Sequence, residues 1–190
     1  MASDRHRGAQ PRSRTLGGLL DEMASARPDA EAVVFRGDRL TYSALRARAD
    51  DLGRALLAVG VTRGDRVAVL LPNRPEWLVA AFALSKIGAV TVGVSTFSSP
   101  REIAWTVEHC RPAAILTLES FRGRSYLGPL YDSCPELAGS RPGRLRSERW
   151  PELRAVVCLD DRPHDGVYRL GDFMARASEV PAAEIGRAHV

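Results

Sequence analysis

Residues 64–100, GDRVAVLLPNRPEWLVAAFALSKIGAVTVGVSTFSSP, constrain the fold more than any other part of the chain. Val67 to Leu71 is apolar without alternation, as in a strand covered on both faces of a parallel sheet. Asn73 is placed to cap the helix that follows, and Pro75 falls in its first turn, where a missing N–H costs nothing. The helical period runs through Trp77 to Lys86 and stops at Gly88, a residue free to take the left-handed conformation. Val90 to Val94 then reads as a second strand. Strand, helix and strand at this spacing predict a βαβ unit, whose crossover is right-handed in about 98% of cases.

The flanking sequence extends this into an α/β protein with a mostly parallel sheet, flanking helices and a small N-terminal β-hairpin. Thr15 caps a predicted helix with Leu16, Leu19, Leu20 and Met23 on its apolar face. Two glycines weaken that helix and Pro28 bars its extension. Ala32 to Phe35 and Arg39 to Thr41 flank Arg36-Gly37-Asp38, which is a hairpin signal. The same Arg-Gly-Asp triplet recurs at 63–65, and turn chemistry accounts for both copies. Thr41 caps a long helix with Leu45, Ala49, Leu52, Leu56 and Val59 on one stripe, closed by Gly60 and Val61. Ser99-Pro100-Arg101-Glu102 is a capping-box pattern, followed by inward-facing Ile103, Val107 and Cys110. Ala113 to Leu118 and Ala155 to Leu159 are further strands. Between them the periodicity degrades: a short helix around Tyr126, Leu130 and Tyr131 is expected to break near Pro129, and Ser140 to Arg149 reads as an exposed basic loop. Asp172 to Ala177 is a short helix.

At 190 residues and 45% hydrophobic, the chain has enough apolar residues for a sizeable core. Its net charge of +4 invites a nucleic-acid reading. The excess lies in Arg5, Arg7, Arg12 and Arg14 and in the segment from Arg141 to Arg154, neither of which interleaves aromatics with base-reading side chains, so solvated surface is the better account and no nucleic acid is expected. All basic residues but Lys86 are arginines, a bias that looks like GC-rich coding. Cys110, Cys134 and Cys158 form no CxxC pair, which suits reduced thiols and a cytoplasmic protein. No signal peptide is read at the N-terminus, and Trp77 to Phe97, interrupted by Lys86, Gly88 and Gly93, reads as helix then strand rather than a membrane span.

RLTYSALRARADDLGRAL (39–56), GVTRGDRVAVLLPNRPEWLVAAFALSKIGAVTVGVST (60–96) and, more weakly, PELRAVVCLD (151–160) resemble the N-terminal part of the adenylate-forming acyl-CoA synthetases. Three departures are visible: Ala44 stands where a glutamate usually completes a capping box with Thr41, and Gly93 and Ser95 replace a proline and an Asn or Asp. The last two point toward fatty-acyl-type synthetases rather than amino-acid adenylation domains. The resemblance implies a two-step reaction in the full-length family. ATP and a carboxylic acid give an acyl-adenylate and pyrophosphate, and coenzyme A then gives the thioester and AMP. It implies ATP, Mg2+ and coenzyme A as cofactors, a phosphate loop reading approximately TSGTTGxPKG, and a later lysine on the adenylating carboxylate.

None of that machinery occurs in these residues. The chain holds no Gly-rich phosphate loop, no GxxxxGK[ST] and no GxGxxG. Lys86 ends a helix, where a cation favours the dipole, and is read as structural. His109 beside Cys110 lacks a third orienting group, and adjacent helical residues diverge by about 100°, so a thiol–base pair is not expected. His6, His109, His164 and His189 are scattered, which argues against a metal site. Ser95 in GVSTF lacks the second glycine of a nucleophile elbow. Asp160-Asp161 reads as a solvated pair, and Trp77 and Trp105 as packing residues. No catalytic, cofactor-binding or metal residue is therefore assigned.

The organisation read from sequence is a disordered basic lead-in over 1–14, an incomplete N-terminal part of the synthetase domain over 15–183, and a non-native tail over 184–190. The ending EIGRAHV resembles the translation of a short-read sequencing adapter, which suggests a truncated gene model whose last residues are not biological. The expected function is that of an acyl-CoA synthetase, acting on a fatty or related acid when complete and inactive over these residues alone. The competing reading is a non-catalytic α/β module that binds a nucleotide or a partner.

Overall fold

A computed structural model describes residues 12–185. Arg5, Arg7 and the ending after Ile185 lie outside the described residues. Helix α1 (Leu16–Ala26) leads into a hairpin of β1 (Glu31–Phe35) and β2 (Asp38–Thr41), then α2 (Tyr42–Ala58). The sheet proper follows as β3 (Arg66–Leu70), α3 (Pro75–Lys86), β4 (Val90–Gly93), α4 (Pro100–Cys110) and β5 (Ala114–Thr117). A small hairpin, β6 (Ser120–Phe121) with β7 (Arg124–Ser125), precedes α5 (Leu127–Ser133). The chain continues through β8 (Ala155–Cys158), β9 (Tyr168–Arg169) and α6 (Leu170–Ala175), with 3-10 turns at Arg176–Glu179 and Ala182–Glu184.

The five strands β4-β3-β5-β8-β9 form one sheet in that order, every pairing parallel. Right-handed crossovers place α3 on one face, with α1, α2 and α6 beside it, and α4 and α5 on the other. The central strands β3, β5 and β8 are covered on both sides, and their side chains from Val67 to Leu70, Ala114 to Thr117 and Ala155 to Cys158 are buried. That is why these runs carry no polar alternation.

The helix ends follow their sequence signals. Thr15 accepts from the Gly18 N–H, and Thr41 from the Ala44 N–H at 3.2 Å. Ser99 and Glu102 form the reciprocal capping box. Gly88 closes α3: its N–H donates to the Ser85 carbonyl and the Ala89 N–H to Leu84, with the Gly88 φ at 69°. Gly60, with φ 84°, does the same for α2 while Val61 packs into the core.

Several expectations are corrected. The residue preceding α3 is Arg74, which makes no side-chain cap, so Asn73 does not fill that role. Arg74 instead bonds Glu76, and Pro75 at the first helical position presets the turn. The inward stripe of α1 is Gly17, Leu20 and Ala24, and Leu16 is 58% exposed. Gly17 turns inward because a Cβ there would lie 2.6 Å from Lys86 Cγ, so its absence lets α1 close on α3. Pro129 does not break its helix; it is the third residue of α5, where no intrahelical N–H is needed. The last helix begins two residues earlier than expected, at Leu170. Trp105 is 62% exposed and stacks on His109 at 4.8 Å instead of packing inward. Apart from these corrections, Ile185 packs over Gly53 and the core.

Candidate functional site

The connection from β3 to β4 leaves in one direction and that from β4 to β5 returns across to the other side of β3. The strand order therefore reverses between β3 and β5. In open parallel sheets such a reversal opens a crevice at the carboxyl ends of the strands, where ligands bind. A cleft of about 540 Å3 lies there.

Three loops and the first hairpin build its walls. After β3 come Pro72, Asn73 and Arg74; after β4, Thr96 and Phe97; after β5, Leu118, Phe121 and Arg122; the β1–β2 turn adds Phe35 and Arg36. The walls are bolted together. The Arg124 guanidinium donates to the Phe97 carbonyl at 2.8 Å and the Tyr126 hydroxyl to the Thr96 carbonyl at 3.0 Å. Asp160 accepts the Glu119 N–H at 2.6 Å, tying the ends of β5 and β8. Asp160 is therefore a structural clamp, which corrects the expectation of a solvated pair; Asp161 alone is exposed.

Arginine dominates the charge of the cleft. Arg74 forms two bonds to Glu76, at 2.7 and 3.0 Å. This pairing holds the Glu76 carboxyl below its ordinary range against the opposing effect of burial. Arg36 and Arg122 sit at hairpin tips with φ of 51° and 52°, each with its guanidinium over the preceding phenylalanine ring, at 5.2 and 5.4 Å. Neither has an acidic partner among the described residues. Sequence reasoning noted the Arg36 turn only as a turn and passed over Arg122, since two short hairpins distant in sequence carry no periodic signal linking them.

The residues singled out in sequence do not converge on this cleft. Lys86 is 2% exposed, at the opposite end of α3, where it pairs with Asp21 of α1 at 2.6 Å and with Asp50 of α2. It is the last residue of α3, and it is also a buried junction between α1, α2 and α3. The Ser95 hydroxyl accepts the Phe97 N–H and its carbonyl the Ser98 N–H, as in a local turn. Cys158 is buried, and burial pushes its thiol up to about 11, so no nucleophile is available there. Burial raises Cys134 in the same direction. No group of three or more His, Cys, Asp or Glu among the described residues could hold a metal ion. Among the same residues, no helix is long and apolar enough to cross a membrane.

Residues 20–169 match the family model described as AMP-binding enzyme. The chain belongs to the AMP-binding enzyme family. Among relatives, it is 35% identical over 173 residues to the Bacillus subtilis protein named "Putative acyl-CoA synthetase YngI", covering 90% of this chain and 32% of that one. It is 30% identical over 176 residues to the mitochondrial medium-chain acyl-CoA ligase ACSF2 of Bos taurus, covering 92% and 28%. The solved structure titled "putative long-chain-fatty-acid CoA ligase" from Rhodopseudomonas palustris superposes with a TM-score of 0.71 at 25% identity, over 90% of this chain and 38% of that one. The chain thus spans about a third of the length of the curated AMP-binding relatives it matches. The mixed α/β fold with its parallel sheet and N-terminal hairpin is that of the N-terminal subdomain of adenylate-forming enzymes.

Proposed function

We propose that these residues form the N-terminal scaffold of an AMP-forming acyl-CoA synthetase acting on a fatty or medium-chain acid. The observation that carries this reading is the family match across 20–169, which spans every strand of the sheet. In the complete enzyme, ATP and the carboxylate give an acyl-adenylate and pyrophosphate; attack of the coenzyme A thiol then gives the thioester and releases AMP. All three substrates are anionic, and the carboxyl-edge cleft offers two arginines without acidic partners among the described residues, Arg36 and Arg122, to such groups.

The chain alone is inactive in this reading. Adenylation depends on positioned phosphate ligands and charge stabilisation, and these residues carry no phosphate loop. The described residues do not fit a divalent-metal site, so no step is assigned to magnesium. Exposed Phe97, Trp105 and the edge residue Val90 suit a scaffold that further parts of such an enzyme cover. Residues 1–190, assayed for carboxylate-dependent exchange of labelled pyrophosphate into ATP, should give none. Measurable exchange contradicts the reading.

A further inference from the structure

A second cleft, of about 560 Å3, lies at the amino edge of the sheet, away from the strand-order reversal. Four guanidinium groups line it: Arg144 and Arg146 from the loop after α5, Arg154 just ahead of β8, and Arg176 after α6. Two of them are held in place. Arg154 donates to Asp65 and to the Gly60 carbonyl, both at 2.6 Å. Arg176 donates to the Tyr168 hydroxyl at 3.0 Å and to Glu179 at 2.8 Å, and reaches the Ala58 carbonyl at the end of α2. Asp65 and Glu179 balance these two charges.

Arg144 and Arg146 are not balanced. Both are exposed, and neither has an ion-pair partner among the described residues. Their loop is not free to drift. Gly143, at φ 72°, lies so close to Tyr168 that a Cβ would fall 2.2 Å from the hydroxyl oxygen. Tyr168 is in turn fixed edge-on to Phe173, with the Arg176 guanidinium 6.0 Å from its ring. One tyrosine therefore supports both the fixed and the unbalanced arginines. The Nε of Arg176 is also buried without a hydrogen-bond partner, a donor left open beside the cleft.

We propose that this cleft binds a small molecule bearing a phosphate group. Two uncompensated guanidiniums match the charge of a phosphate dianion, and their planar forks match its oxygens in bidentate fashion. The volume falls within the roughly 300–1,000 Å3 usual for small-molecule sites, leaving room for an organic portion. The segment from Arg141 to Arg154, which sequence reading assigned to solvated surface, thereby acquires a role. This site stands apart from the carboxyl-edge cleft and does not depend on the synthetase reading.

The test is arginine-selective modification of the 190-residue chain with phenylglyoxal, read residue by residue by mass spectrometry. Saturating inorganic pyrophosphate should slow modification of Arg144 and Arg146 at least fivefold, with one common half-saturation, and leave exposed Arg27 and Arg101 unchanged. The protection should weaken as salt is raised. In Arg144→Ser, protection of Arg146 should fall at least threefold, because the fork loses its partner. A parallel arm with phosphatidic acid vesicles separates the sources: protection by vesicles as well assigns a lipid headgroup, and protection by pyrophosphate alone a soluble phosphate compound. Equal protection of Arg144, Arg146, Arg27 and Arg101, or protection of none of them, overturns the proposal.

Discussion

Lys86 Nζ lies 2.6 Å from Asp21 Oδ1, and this contact joins the first helix of the chain to the third. Asp50 completes the junction from α2. The ammonium is buried while both carboxylates keep partial contact with water.

The asymmetry decides which substitution hurts. In Lys86→Met, the two carboxylates rehydrate and the stem is replaced by an apolar chain of similar size, so the loss should stay near about 1 kcal/mol. In Asp21→Asn with Asp50→Asn, a buried ammonium loses both partners, at a cost of about 3 kcal/mol. Urea unfolding of the two variants measures the difference, and the reverse order would refute a buried-charge account.

Gly17 and Gly171 both lie in helices but should respond oppositely to alanine. At Gly17 the added methyl meets Lys86 Cγ at 2.6 Å, so Gly17→Ala should destabilise despite the higher helix propensity of alanine. At Gly171 nothing lies within 4 Å, and Gly171→Ala should stabilise by about 0.5–1 kcal/mol. Thermal melts of the two single variants make the comparison.

The Arg74–Glu76 pair predicts one part of the acid limb. The Glu76 carboxyl is held below the ordinary 4.5, chiefly by its bonds to Arg74. Its contribution is therefore fully present above that value and is lost as pH falls through the lower folded-state value. Glu76→Gln should flatten the stability profile below about pH 5 and leave its shape at neutral pH unchanged. An unchanged acid limb would show that the pair adds nothing.

The cysteines should separate by burial. With its thiol pushed up to about 11, Cys158 is about one-thousandth thiolate at pH 8. Half-buried Cys110 should react first with a disulfide reagent, while Cys134 and Cys158 react only on unfolding. Three equal fast thiols would contradict the packing around β8.

The parallel sheet was legible because its strands are short unbroken apolar runs, and Gly60, Gly88 and the Ser99–Glu102 box stand where helix ends demand them. The misread details share a cause: they depend on what lies across space. Thr15 and Pro28 bracket α1, but only contact with Lys86 turns Gly17 inward and Leu16 outward. Asp160 looked solvated because its partner, the Glu119 N–H, lies 41 residues away. The two clefts were the least legible features. Each is assembled mostly from loops and element ends that share only their arrival at the same end of the sheet, which neither periodicity nor local motif records.

The most direct test of the account is a chimera. The 173 residues that align with the Bacillus subtilis relative replace their counterparts in that protein, and the product is assayed for carboxylate-dependent ATP–pyrophosphate exchange. The account predicts exchange in the chimera and none in the 190-residue chain. A chimera that melts cooperatively yet shows no exchange with any fatty acid would contradict it.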